Sequence, residues 1–345
     1  MIEISGLTKT YPSTTSRRHR STAVLDGIDL TVADAQIAAV VGPSGAGKST
    51  LARCINLLER PTSGSIAVNG QEVTTLSRRD LRDARRQIGT VFQSANLLRR
   101  LTAAQNVALP MRYLGLSDTE VRARVGDLLE RVGMLHRANH YPAQLSGGQR
   151  QRIGIARGLA LRPTVLLSDE ATSGLDPDST RAILDLLREL RDDLGVTLVV
   201  ITHEMDVVRS VADVVAQLDH GRIVEYGAVA DVVRSSDSAL SRALLPLPAG
   251  MDEGERRTRT WVLRYAADTV DERWLSRISH DLDTEIAVRA ALVERTGGVS
   301  IGRLTVGLDR SLGTDAVVAA FARHGIASRP TDEGVPHPTV HEAIA

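Results

Sequence analysis

Eight consecutive residues, Gly42-Pro43-Ser44-Gly45-Ala46-Gly47-Lys48-Ser49, constrain the fold of this chain more than any other stretch. They fit the pattern of a glycine-rich phosphate loop, which works only between a buried strand and the N-terminus of a helix. Both flanks are legible. Ile37-Ala38-Ala39-Val40-Val41 reads as a strand buried on both faces, and a helix is predicted from about Lys48. The glycines let backbone N–H groups curl around phosphate oxygens. Lys48 is expected to reach the β- and γ-phosphates, and the Ser49 hydroxyl to hold Mg²⁺. The fold class that follows is α/β: up to about Arg234, short β-branched runs such as Val165-Leu166-Leu167 and Val196 to Ile201 alternate with longer helical patterns. Thr180 to Leu194 carries Ile183, Leu184, Leu187 and Leu190 at helical spacing, and Gly195 is placed to end that helix.

Two further segments suit phosphate chemistry. Val165 to Ser168 is an apolar strand that ends in Asp169-Glu170. A carboxylate at such a strand end holds the metal in phosphoryl transfer, and its neighbour is placed to polarise the attacking water. By itself the pattern also describes a strand end with solvated charges. Leu145-Ser146-Gly147-Gly148-Gln149 precedes a helix expected over Arg150 to Leu161, and presents bare N–H groups and a hydroxyl at its N-terminus. Alone it also describes a Ser-capped helix. A second anion site about a hundred residues after the first exceeds what one ATP requires of one loop.

In order and spacing these motifs resemble those of the ABC ATPase family, and the resemblance spans nearly all of the first domain. It implies a P-loop NTPase cassette with a helical subdomain. The nucleotide would be held by Gly42, Pro43, Ser44, Gly45, Ala46, Gly47, Lys48, Ser49 and Thr50, with Mg²⁺ on Ser49, Gln93 and Asp169. Glu170 would be the general base. His203, in Ile201-Thr202-His203-Glu204, matches the histidine that contacts the γ-phosphate. Gln93 matches the glutamine that also links to the permease, and Ser173-Gly174-Leu175-Asp176 the loop between paired ATP sites. Tyr11 looks like the aromatic that stacks on adenine. Ser146, Gly147, Gly148 and Gln149 would cap an ATP bound by a second copy, so the resemblance implies an ATP-sandwich dimer. The stretches Cys54 to Pro61 and Ala84 to Gly89 resemble the methionine-importer branch, although Gly174 stands where an alanine is common.

The length, 345 residues, leaves room for a second domain. The pattern breaks around Leu244 to Gly250, and the expected division is a cassette over 1–243, a linker over 244–257, a small domain over 258–334 and a disordered tail over 335–345. Trp261, Leu263 and Tyr265 alternate as in a strand, and Trp274, Leu275, Ile278 and Leu282 mark a helix. Thr284 to Arg295 and Val299 to Leu308 read as strands joined at Thr296-Gly297-Gly298, followed by a helix at Val317, Val318 and Phe321 and a last strand from Ile326. The order βαββαβ is ferredoxin-like, an α+β arrangement. The methionine-importer branch carries such a domain, which implies methionine as a regulatory ligand.

Equal numbers of basic and acidic residues, 42 of each, leave no field that would favour nucleic acid. The single cysteine, Cys54, excludes an internal disulfide and lies in an apolar run, where a small core residue is expected. No stretch approaches the roughly 20 apolar residues of a membrane span, and Met1-Ile2-Glu3-Ile4 does not open a signal peptide. The expectation is a peripheral ATPase on the cytoplasmic face of the membrane, working with permease subunits and, indirectly, an extracytoplasmic substrate-binding protein. The alternatives are an exporter, lipoprotein-release or cell-division ATPase, which the C-terminal extension argues against. A non-transport ABC protein would carry two cassettes or a coiled-coil insertion. The basic segment Arg17-Arg18-His19-Arg20 reads as a solvated loop.

Overall fold

The computed structural model describes residues 1–12, 21–235, 238–245, 258–267, 273–296 and 299–331. The basic segment at 17–20, most of the expected linker, the Gly297-Gly298 turn and the tail lie outside the described residues. By internal contacts the chain divides into two units, Met1–Gly227 and Ala228–Ala345.

The first unit holds two sheets. One is antiparallel in the order β2-β1-β4-β5, built from β1 (Ile2–Pro12), β2 (Ser21–Val32), β4 (Ser63–Val68) and β5 (Gln71–Glu72). This sheet was not evident in the sequence, because β1 mixes buried Ile2, Ile4 and Leu7 with irregular pairing that breaks the period of two. The other has the order β10-β9-β3-β8-β7-β6. Its members are β3 (Ile37–Val41), β6 (Ile88–Phe92), β7 (Val165–Asp169), β8 (Thr197–Ile201), β9 (Val214–Asp219) and β10 (Arg222–Ala228). From β6 to β9 the pairing is parallel, and every residue of β3 and β8 is buried, as continuous apolar runs require when helices cover both faces.

One core, with Leu51, Ile55 and Leu167, fills the side of α1 (Lys48–Ile55), and α2 (Arg78–Ala84) contributes Leu81 to it. The other gathers Leu128, Ile153 and Ile183 from α4 (Asp118–Arg131), α5 (Gly147–Gly158) and α6 (Pro177–Leu194). A helical subdomain is formed by α3 (Ala103–Tyr113) and α4 against α5. Both α3 and α4 open with capping boxes, Thr102 with Gln105 and Ser117 with Glu120. Asp176 caps α6, and Gly195, at φ 63°, ends it as the sequence implied. The short α7 (Met205–Val211) follows β8.

The second unit contains α8 (Val229–Ser235), α9 (Ala239–Leu244), β11 (Thr258–Ala267), α10 (Trp274–Asp281), β12 (Ala287–Thr296), β13 (Val299–Asp309), α11 (Thr314–Ala322) and β14 (Ala327–Pro330). Its strands pair antiparallel in the order β12-β13-β11-β14, the ferredoxin-like arrangement. One sheet face, with Trp261, Leu263, Tyr265 and Leu304, is buried with Trp274, Ile278 and Phe321 of α10 and α11. Trp274 meets both Tyr265 and Phe321 edge-on, with centroids 6.0 and 6.3 Å apart. The opposite face, with Val262, Arg264 and Arg303, is also buried, and Arg303 donates to the Leu245 carbonyl at 2.8 Å. The segment 229–245 therefore groups with this unit, although its periodicity reads as a continuation of the cassette. The strand expected from Thr284 begins at Ala287, because Ser279 Oγ and the Thr284 N–H close the end of α10 first.

Candidate functional site

The loop from Gly42 to Ser49 connects β3 to α1, and its shape is enforced by crowding. A Cβ on Gly42 would lie 2.1 Å from the Leu218 carbonyl oxygen of β9. One on Gly47, at φ 109°, would lie 2.8 Å from the Val24 oxygen of β2. Only glycine fits where these strands close on the loop. Gly47 supplies no side-chain cap to α1, so the first-turn N–H groups stay directed at the concave side of the loop, where an anion is favoured. Lys48 crosses this concavity with its ammonium donating to the carbonyls of Gly42 at 2.6 Å and Pro43 at 2.9 Å. Its side chain is buried, whereas Pro43, Ser44, Gly45 and Ser49 are exposed.

Parallel pairing brings the remaining groups to the same edge. Phe92, Asp169 and Ile201 are register partners at the ends of β6, β7 and β8. The next residues, Gln93, Glu170 and Thr202-His203, therefore leave the sheet side by side at its carboxyl edge, beside the loop. Burial, and then the neighbouring Glu170, raise the Asp169 carboxyl above the usual range, while Arg53 and Lys48 oppose the shift. Glu170 adopts φ 49°, sparsely populated for a side chain of its size, and its N–H donates to the Ile201 carbonyl at 2.9 Å. Its Oε1 lies 3.1 Å from Nδ1 of His203. Gln93 donates from Nε2 to Ser173 Oγ at 3.3 Å, which leaves its carbonyl oxygen available.

The donor set of Ser49, Gln93 and Asp169 is all oxygen and holds one carboxylate. It suits Mg²⁺, which keeps waters and shares its ligands with substrate phosphates. Among the described residues there is no group of three or more His, Cys, Asp or Glu side chains that would hold a metal by themselves.

Ser146 stands at the start of a different helix from the phosphate loop. Ser146 caps α5, accepting from the Gln149 N–H at 3.3 Å while its own N–H donates to Gln149 Oε1 at 3.0 Å. The helix consequently starts at Gly147, three residues ahead of the expected Arg150. A Cβ on Gly147 would approach Leu175 to 3.0 Å and one on Gly148 would approach Ser179 Oγ to 3.1 Å, so this turn is packed against the start of α6. The buried Gln151 of α5 donates to the Phe92 carbonyl at 3.0 Å, tying the helix to the residue before Gln93. Nothing at motif level pointed to Gln151. Cys54 is fully buried, and burial pushes its thiol up to about 11, which makes it a core residue.

Tyr11 stands near the end of β1, and burial and then Glu59 raise its hydroxyl above the usual range, while Thr50 of α1 opposes the shift. The Lys9 ammonium covers one face of its ring, 5.1 Å from the centroid. Neither Lys9 nor Glu59 was distinguished by the sequence reading.

Known proteins resemble this chain in sequence and fold. The ABC transporter family matches residues 25–173 and the NIL domain family residues 259–328. A methionine import ATP-binding protein of Rhodococcus jostii is 54% identical over 306 residues, 89% of either chain. Its namesake from Streptomyces coelicolor is 45% identical over 329 residues, 94% of this chain and 92% of that one. Among solved structures, the dimeric ATP-binding cassette MJ0796, in a post-hydrolysis state with ADP and Pi, superposes with a TM-score of 0.60 at 34% identity. It covers 66% of this chain and 98% of that structure.

Proposed function

The chain belongs to the methionine-import ATP-binding subunits of ABC transporters, and from that premise we propose how its residues divide the work of splitting MgATP to drive import. It is an importer ATPase for methionine. The observation that carries the division of labour is the meeting of the Lys48 loop, Asp169, Glu170, His203 and Gln93 at one sheet edge.

In this reading Lys48 exchanges the carbonyls of Gly42 and Pro43 for phosphate oxygens, and the N–H groups of Gly45 to Thr50 cradle the β-phosphate. Ser49, Asp169 and the Gln93 carbonyl would hold Mg²⁺, which would supply charge neutralisation for the phosphates. Glu170 accepts the proton of the attacking water. His203 lies against Glu170 through Nδ1 and orients that carboxylate, and an Nε2–H is the donor that the γ-phosphate requires. The likeness to a dimeric cassette supports two copies that meet head to tail, each supplying Ser146, Gly147 and Gly148 to the ATP on the other's loop. With its oxygen accepting from Gln149, the Ser146 hydroxyl keeps its proton for a phosphate oxygen.

No helix among the described residues is long and apolar enough to cross a membrane, so translocation falls to separate permease subunits and the chain works at the cytoplasmic face. The second unit is the regulatory element, binding methionine and slowing the ATPase when the amino acid is plentiful. The test is reconstitution of the full chain with its permease in vesicles. Uptake of methionine should require ATP on the side that holds the chain and should disappear with Lys48→Ala. Uptake that persists in that variant would overturn the assignment.

A further inference from the structure

The contact between β1 and the turn after α1 supplies a feature that no phosphate chemistry calls for. Past α1 the chain folds back on itself: the N–H groups of Leu58 and Glu59 both donate to the Arg53 carbonyl, at 2.9 and 3.0 Å, and Leu57 takes φ 60°. β1 is stitched to this turn by the Thr62 N–H on the Thr8 carbonyl at 2.7 Å and by the Thr10 N–H on Thr62 Oγ1 at 3.0 Å. The stitching sets Glu59 opposite Lys9. Their side chains pair at 3.1 Å, are 22% and 14% exposed, and the same ammonium donates to the Arg60 carbonyl at 2.8 Å. That ammonium covers one face of the Tyr11 ring, 5.1 Å from its centroid.

We propose that Lys9 and Glu59 are positioning residues for adenine: Lys9 holds one face of the Tyr11 ring and Glu59 holds Lys9, so that the other face of the ring is a preformed platform for the base. The inference rests on the reading of Tyr11 as the adenine-stacking residue and goes one step behind it. A tyrosine near the end of a strand would otherwise spend rotamer freedom on each binding event. The Lys9 ammonium holds the ring by a cation–π contact, and the Glu59 carboxylate fixes the ammonium. The electrostatics are consistent with this geometry. Burial and then the contact with Glu59 raise the Tyr11 hydroxyl, and the Tyr11 hydrogen bond is the main cause lowering the Glu59 carboxyl. Because Glu59 hangs from the turn that ends the phosphate-loop helix, the platform is also held in register with the loop.

The experiment compares MgATP with magnesium tripolyphosphate, which offers the loop the same phosphates without a base, as ligands of the full chain. Removing the platform with Tyr11→Ala should weaken MgATP binding roughly 5-fold or more, the range of one base–aromatic stack, and leave tripolyphosphate unchanged. Glu59→Ala and Lys9→Met should each reproduce the selective loss in smaller measure. Glu59→Gln, which can still accept from the Lys9 ammonium, should restore part of it, and adding Glu59→Ala to Tyr11→Ala should cost nothing further. If Tyr11→Ala leaves MgATP affinity intact, the platform reading falls, and the inference with it. If Tyr11→Ala shows the selective loss but Glu59→Ala and Lys9→Met do not, the platform stands and the positioning role is wrong. Equal weakening of both ligands by Glu59→Ala would also overturn it, since the residue would then be shaping the phosphate loop.

Discussion

The two units of this chain solve different problems, and they differ most in where their informative residues lie. In the first unit the chemistry sits in short contiguous motifs at the carboxyl edge of a parallel sheet. Phosphate binding needs successive backbone N–H groups, and parallel register places several strand ends together. In the second unit the residues that matter to packing recur at every second or third or fourth position, as in Trp261, Leu263 and Tyr265 or Trp274 and Ile278. No contiguous string there spells a ligand. A backbone-made site is legible as a word, and a side-chain-made surface only as a rhythm.

The difference can be broken or sharpened by experiment, beginning with the largest effect. Glu170→Gln keeps size and hydrogen bonding but removes basicity, so turnover should fall roughly 10²- to 10⁴-fold while MgATP still binds. Near-normal hydrolysis would take Glu170 out of the base role. Phe321→Ala empties a fully buried position of the second unit and should cost it about 3–5 kcal/mol. Both tryptophans of the chain, Trp261 and Trp274, lie in that core, so their fluorescence follows its unfolding without contribution from the first unit. The tryptophan transition should move to much lower denaturant while ATP hydrolysis by the full chain survives. Loss of both together would show that the units do not stand independently.

Smaller effects test the regulatory half. With a typical coupling of about 1–3 kcal/mol, methionine should lower ATPase of the chain in complex with its permease roughly 5- to 150-fold, and a chain ending at Gly227 should not respond. That cut is preferable to one after Ala249, which would leave Val233, Leu240 and Leu244 without the sheet face that groups with them. A response that persists after truncation would remove the second unit from regulation. The smallest effect concerns Asp169. Its carboxyl is raised in the folded state, so the native protein holds that proton to higher pH than the unfolded chain does. Stability is accordingly lost as pH rises from the ordinary carboxylate value through the folded one, and stays reduced above it. Asp169→Asn should therefore make the nucleotide-free protein slightly more stable at neutral pH while removing Mg²⁺-dependent turnover. A less stable variant would show that the charge is favourable where it sits.

What the sequence made legible follows the same division. The loop at Gly42 to Ser49, the strand ends at Asp169 and His203, and the βαββαβ order were readable because local pattern and tertiary role coincide there. The antiparallel sheet of β1, β2, β4 and β5 was not, since its edges and bulges dilute the alternation. The grouping of 229–245 with the second unit was hidden because an amphipathic helix does not say which sheet it covers. Lys9, Glu59 and Gln151 were missed for a common reason: each acts through a neighbour remote in sequence, and no spacing rule connects Lys9 to Glu59 or Gln151 to Phe92.

The central claim is that one ATP is held by the loop of one copy and by Ser146 of another. It is tested most directly by mixing two damaged chains, both carrying Glu170→Gln to halt turnover. Lys48→Ala removes the loop's cation, and Ser146→Arg blocks closure from the partner side. In a mixed dimer one composite site is intact and the other doubly damaged, whereas each homodimer has two singly damaged sites. ATP retained by crosslinked dimers is then counted. The account predicts close to one ATP per mixed dimer and almost none in either homodimer, and mixed dimers that retain no more than the homodimers would contradict it.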